Sequence, residues 1–502
     1  MSQPPLLTRA ESTQYAETSR HADVMAFIHG LKELGDHRLH VTDFGATPEG
    51  RELPLLVLSA NGARSPQEAH GRGLPVVLVL CGIHAGEVEG KEAGLMLVRD
   101  ILHGAHGDLL DRMTLLLVPL FNADGNDRID PANRALDIAH FTGQLGPDSG
   151  VGTRVNAAGI NLNRDYMRQD AEEMRLLQTG VMHPWNPHLT IDCHATNGSI
   201  HRFDLTYDIP HTVQSGRIEP IDFMREHLLP AVTDAVKRED GRDTFWYGNF
   251  LRDEGGQGTG WITYTHHPRF GGNYRGLANR LDLLLETYAY IDFYDRVHTT
   301  YAFLRHTLAY VGEHAEEIVE LLAVCEMPPD DIAVRYRLDA FPDREVEILT
   351  RDPYTLEGEA VSVRVPYIGR FVGEHIVRRP LAYAVPEAIA ARLEGHGLVI
   401  ERPPVPPQLH AEIATVTALA SSAGREILEA NATPYVEAEY LRDERTLPAG
   451  WALVRTEQQR GAVAVYLCEA GSDDGLVACG WIDPPTVGSE FPAWRVNAIV
   501  HA

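Results

Sequence analysis

Leu74-Pro-Val-Val-Leu-Val-Leu-Cys81 runs without a charge into Gly82-Ile-His84-Ala-Gly-Glu87. An apolar run rich in β-branched residues predicts a strand buried on both faces, as in the middle of a parallel sheet. From Glu87 to Ile101 the spacing turns helical, with Val88, Leu95, Leu97 and Val98 available for burial. Leu115-Leu-Leu-Val-Pro-Leu-Phe121 repeats the buried-strand pattern and ends in the turn signal Asn122-Ala-Asp-Gly125. His188-Leu-Thr-Ile-Asp-Cys193 and Leu281-Asp-Leu-Leu-Leu285 supply a third and a fourth such run. Upstream, Val41–Phe44 and Leu53–Leu58 flank a turn at Ala46-Thr-Pro-Glu-Gly50, which reads as an antiparallel hairpin at the sheet edge. Strands separated by helices predict an α/β fold: a mixed, largely parallel sheet with helices on both faces.

After about residue 330 helical spacing gives way to short alternating runs such as Val361-Ser-Val-Arg-Val365 and Ala462-Val-Ala-Val-Tyr-Leu467, both read as strands. Pro403-Pro-Val-Pro-Pro407 acts as a stiff spacer, and one helix is expected near Pro386–His396. The expected division is therefore an α/β domain over residues 1–330 and a smaller β-rich domain over 331–502. A chain of 502 residues can bury such cores without disulfide staples. Its five cysteines are scattered, with no CxxC spacing, and suit a reducing compartment. The net charge of −27 repels phosphate backbones and anionic lipid, so neither nucleic acid nor a membrane surface is the expected partner. The N-terminal residues lack an apolar signal-like stretch, and a cytoplasmic location is the expectation.

Ligands of α/β sheets bind beyond the carboxyl ends of the strands. His84 and Glu87 sit there, three residues apart, and His194 ends another apolar strand run. Imidazole nitrogen and carboxylate oxygen are zinc donors, and a catalytic zinc takes three protein ligands and an open position. Arg154, in Thr153-Arg-Val-Asn156, can grip a carboxylate or polarise a carbonyl, and Asn163 beside Arg164 adds an amide donor. Glu286, directly after Leu281–Leu285, is either half of an ion pair or a general base. His266 and His267 are adjacent, so their side chains are expected to diverge and not to form a second metal site. Gly255-Gly-Gln-Gly-Thr-Gly260 does not fit a phosphate-binding pattern and reads as a loop near the substrate mouth.

In order, these pieces resemble the zinc carboxypeptidase family, the carboxypeptidase A-like metallopeptidases. The resemblance rests on Cys81-Gly-Ile-His-Ala-Gly-Glu87, Asn161-Leu-Asn-Arg-Asp-Tyr166 and Asp192-Cys-His-Ala-Thr-Asn-Gly198, and covers roughly residues 15–300. Arg269-Phe-Gly-Gly-Asn-Tyr-Arg-Gly-Leu-Ala-Asn-Arg280 is similar to a bacterial subgroup with a C-terminal β-rich extension. The resemblance implies one zinc ion held by His84, Glu87 and His194, with Glu286 as general base and Arg154 at the scissile carbonyl. It implies that Asn163 and Arg164 hold the substrate's terminal carboxylate, and that a tyrosine closes over the substrate, with Tyr274 preferred to Tyr264. It departs from the family at Asn161, where an aspartate usually orients the first histidine. The implied activity is hydrolysis of the C-terminal peptide bond of a peptide. Aspartoacylase-like relatives share the His-x-x-Glu…His pattern, so a deacylase of small N-acyl amino acids is the alternative enzyme. A non-catalytic binding module is the third reading, and the expected partner is a peptide or small amide.

Overall fold

The computed structural model describes residues 6–106, 108–252, 258–421 and 433–500. Its strands are β1 (Leu39–Ala46), β2 (Glu52–Leu58), β3 (Val76–Cys81), β4 (Thr114–Val118), β5 (Leu189–Thr196), β6 (Leu205–Asp208), β7 (Thr244–Trp246), β8 (Asn249–Arg252), β9 (Gly258–Ile262) and β10 (Leu281–Tyr288). The C-terminal part adds β11 (Asp331–Asp352), β12 (Glu359–Arg378), β13 (Ala382–Pro386), β14 (Ile400–Glu401), β15 (Gln408–Ser421), β16 (Pro434–Thr446), β17 (Trp451–Arg455) and β18 (Trp494–Val500).

The main sheet has eight strands in the order β1-β2-β4-β3-β5-β10-β6-β7. Its centre is parallel, β4 with β3, β3 with β5 and β5 with β10, while β1, β2 and β6 join antiparallel. This is the mixed, largely parallel sheet the apolar runs predict. Every residue of β3, β4 and β5 is buried, because helices cover the sheet. The helix Glu89–Leu102 packs on this centre. A Cβ on its Gly90 would stand 2.5 Å from the Cys193 Cβ, so glycine there lets the helix lie close against β5.

The C-terminal part is β-rich, with a six-stranded sheet in the order β14-β17-β13-β18-β15-β16 and the expected helix at Glu387–Gly395. The two parts are stitched together. β11 and β12 form a long hairpin whose sheet includes β9 and β8 from before residue 330, and one apolar cluster runs from Val24 through Leu283 to Val465 and Phe491. The strand expected at Ala462–Leu467 is instead a helix, Gly461–Cys468, with all eight residues buried. Burial on every side removes the polar stripe that would mark a helix in sequence, leaving an apolar run that reads equally as strand. No helix among the described residues is long and apolar enough to cross a membrane. Of the glycine-dense segment, Gly258–Gly260 lies in β9, and Gly255 and Gly256 lie outside the described residues.

Candidate active site

β3 and β5 are neighbours in register, with Cys81 opposite Cys193, so the chain leaving β3 and the end of β5 meet above the same sheet edge. There His84, Glu87 and His194 converge. Glu87 Oε2 is 3.2 Å from His84 Nδ1 and 2.9 Å from His194 Nδ1, and the two imidazole nitrogens are 3.2 Å apart. All three side chains are buried, and one donor atom from each falls within a 4.8 Å group. The far nitrogens are held from outside. His84 Nε2 donates to Asn161 Oδ1 at 3.1 Å, and His194 Nε2 lies 3.1 Å from Asp192 Oδ1. Asn161 thus orients the first histidine as an amide, where a carboxylate would add charge, and Asp192 supplies charge at the second.

The three donors differ in their electrostatics. Burial and the Arg154 charge push the His84 imidazole down to about 3, so it stays neutral with a lone pair to offer. For Glu87 burial opposes ionisation, but His84, the His194 hydrogen bond and Arg134 outweigh it and hold the carboxyl well below its ordinary value. Burial likewise opposes a charge on His194, and Asp192 and Glu87 overcome it, raising that imidazole well above its ordinary value.

Glu286 stands opposite His194 in the parallel β10–β5 ladder, so both side chains project from the same face. β10 continues past Glu286 to Tyr288, which makes this carboxylate an interior strand residue and not a strand end. Burial pushes its carboxyl up to about 8, against the opposing pull of His194, with Glu87 adding to the rise and Arg154 and Arg134 reducing it. A carboxyl poised near neutrality is suited to passing a proton in either direction.

A cleft of about 740 Å³ opens over this group, and His84, Glu87, Arg154, Asn163, Arg164 and Glu286 all line it. Arg154 Nη1 reaches Glu87 Oε1 at 3.1 Å from a side chain that is half exposed to the cleft. Asn163 accepts the Gly271 N–H on Oδ1 at 3.0 Å, which fixes the amide plane, and the Arg164 guanidinium lies 3.6 Å over the Phe270 ring. The cleft wall therefore carries the guanidinium groups of Arg134, Arg154 and Arg164 and the Asn163 amide beside His84 and the carboxylates.

Tyr274 does not join them. Its hydroxyl donates to Gln178 Oε1 at 3.1 Å and pairs with His396 Nδ1 at 2.9 Å, buried away from the cleft. The tyrosine that lines the cleft is Tyr264, accompanied by Tyr247. The helix Gly271–Leu277 turns the Tyr274 ring into the core, so the preference for the more motif-like segment is corrected. Arg280 lies with Tyr274 around a separate small recess, its Nε donating to Asn186 Oδ1 at 3.2 Å.

Arg134 is the cleft residue that sequence reading missed. Its Nη1 donates to Glu87 Oε1 at 2.9 Å and its Nε to Gln144 Oε1 at 2.8 Å. It sits in an irregular segment with a positive φ of 52°, where no periodicity marks it. Gly86 makes room for it, since a Cβ there would be 2.7 Å from the Arg134 Cδ.

The sequence profile of the zinc carboxypeptidase family matches residues 24–186. Over that stretch the chain is similar to zinc carboxypeptidases. The family takes one zinc ion, and the His84, Glu87 and His194 cluster has the donor set and convergence for it. The carboxypeptidase 2 of Trichophyton tonsurans is 23% identical over 484 residues, covering 91% of this chain and 82% of that protein. The carboxypeptidase 2 of Trichophyton rubrum is likewise 23% identical, over 89% of this chain and 81% of its own length. A solved metallo-carboxypeptidase from Burkholderia cenocepacia is 18% identical, with a TM-score of 0.41 over 59% of this chain and 69% of that one.

Proposed function

We propose that the protein is a zinc-dependent metallocarboxypeptidase that hydrolyses the C-terminal peptide bond of peptides. The observation that carries this reading is one cleft lined by His84, Glu87, Glu286, Arg154, Asn163 and Arg164, with His194 in contact with His84 and Glu87 beneath it. When bound, the ion supplies a Lewis acid that lowers the pKa of water and polarises a carbonyl. Arg164 and the amide of Asn163 receive the substrate's terminal carboxylate, a planar anion that suits a guanidinium fork. That anchor sets the scissile carbonyl over the centre and excludes peptides with a blocked terminus. Glu286 takes the proton of the attacking water and delivers it to the departing amine, so the bond to nitrogen breaks as the free amine forms. Arg154 donates to the oxyanion as it develops, at a cost of a few kcal/mol in the barrier if removed. Tyr264 takes the place over the substrate that the sequence assigned to Tyr274.

The test is release of the terminal residue from a panel of peptides, with and without chelator, beside a panel of N-acyl amino acids. Chelator-sensitive release from free-acid peptides, absent from the corresponding C-terminal amides, is expected. Turnover of N-acyl amino acids alone would replace the peptidase reading with a deacylase. No turnover of either panel by zinc-loaded protein would leave a binding module.

A further inference from the structure

His266 and His267 do not diverge as adjacent residues on an extended chain would. Residues 263–267 are irregular, and the two rings stack with centroids 4.4 Å apart. Asp473, from the segment after the buried helix Gly461–Cys468, meets them: Oδ2 is 2.8 Å from His266 Nε2 and 4.0 Å from His267 Nε2. All three residues are buried, His267 completely, and one donor atom from each lies within a 4.8 Å group.

Two donors bound to one tetrahedral zinc at about 2.0–2.2 Å are separated by about 3.4 Å. The 2.8 and 4.0 Å separations bracket that value, as the 2.9 to 3.2 Å spacings at His84, Glu87 and His194 fall just below it. The atoms turned away from the centre are held in the manner of metal ligands. His267 Nδ1 pairs with Thr265 Oγ1 at 2.5 Å, and Asp473 Oδ1 accepts the Tyr466 hydroxyl at 2.7 Å. Asn273 clamps the backbone on either side, donating to the carbonyls of Thr265 and His267.

We propose that His266, His267 and Asp473 form a second metal site, taking a zinc-class divalent cation in a structural role. Two imidazoles and one carboxylate suit zinc and not the all-oxygen sites of calcium or magnesium. Enclosure denies substrate the open position a catalytic ion needs. The site instead joins the C-terminal segment to the cleft wall, because Thr265, which holds His267, lines the cleft. Arg269 N–H donating to Asp474 Oδ2 at 2.7 Å fastens the same junction beside it.

The experiment is zinc titration of chelator-stripped full-length protein, read by calorimetry and by elemental analysis after desalting. Wild type is expected to bind two equivalents. A His84→Ala/His194→Ala variant should keep one, and that equivalent should raise its melting temperature. Adding His267→Gln and Asp473→Asn should remove the remaining equivalent. One equivalent on wild type, or none on the His84→Ala/His194→Ala variant, overturns the proposal and leaves a hydrogen-bonded cluster. The latter variant decides the matter even if substitutions at Asp473 prevent folding, since it leaves the second cluster untouched. Catalytic activity does not enter the readout, so failure of the peptidase reading and failure of this site are distinguishable.

Discussion

Replacing Glu286 by glutamine tests the proposed chemistry and the electrostatics together. The two side chains have nearly the same shape, and Glu286 is not in the His84, Glu87, His194 donor group, so zinc content should be unchanged. Loss of a positioned general base costs about 10²–10⁴ in rate. Here the same group would both accept and return the proton, so a fall of about 10³ or more in kcat is expected, equivalent to about 4 kcal/mol. Stability should move the other way. Glu286 has a folded-state pKa raised to about 8 from an ordinary 4.5. The folded protein therefore holds a proton that the unfolded chain releases, and stability falls as pH climbs from 4.5 towards 8. At pH 7 the penalty is at most about 3 kcal/mol, and at pH 5 it is below about 1 kcal/mol. These are ceilings, because Glu286 borders the cleft and water reaches its edge. Glutamine carries no such penalty. Metal-free Glu286→Gln should thus be more stable than metal-free wild type at pH 7, with the gap closing at pH 5, by urea denaturation. Wild-type turnover by the zinc-loaded variant would refute the base assignment. A stability difference that does not change between pH 5 and 7 would refute the raised carboxyl.

Arg164→Ala should raise KM for free-acid peptides by about 10–100-fold, with a smaller effect on kcat, as expected when ground-state and transition-state binding are lost together. Arg154→Ala should instead lower kcat by about 10²–10³ with zinc content retained, the signature of a donor that matters at the oxyanion. Tyr274→Phe should leave steady-state kinetics unchanged and cost about 1 kcal/mol of stability through its lost buried hydrogen bonds, whereas Tyr264→Phe should change kcat/KM. Zinc must displace the proton held on His194, whose pKa is raised. Affinity should therefore weaken about tenfold per unit fall in pH below that pKa, by competition titration with a chromogenic chelator.

The parallel centre of the sheet was legible because Val76–Cys81 is apolar at every position, a pattern that burial on both faces requires. The three donors were legible because His84 and Glu87 lie in the turn after β3 and His194 lies among the last residues of β5. What sequence could not carry was direction. Tyr264 and Tyr274 lie within eleven residues of each other, and only the turn into the helix Gly271–Leu277 decides which ring meets the cleft. Arg134 reaches Glu87 from an irregular segment whose path depends on tertiary contacts. The His266–His267 pair was misread because divergence of neighbours holds for extended chain, and residues 263–267 are not a strand. Ala462–Leu467 was misread for the opposite reason, since a helix packed on all sides shows no face.

The helix Gly461–Cys468 has no exposed residue and rests on β11 and on the helix Gly271–Leu277, next to the strand that carries Glu286. A gene shortened at codon 330 would therefore yield no minimal enzyme, but a chain with a bare apolar flank that self-associates. The two halves have to be expressed and engineered as one unit.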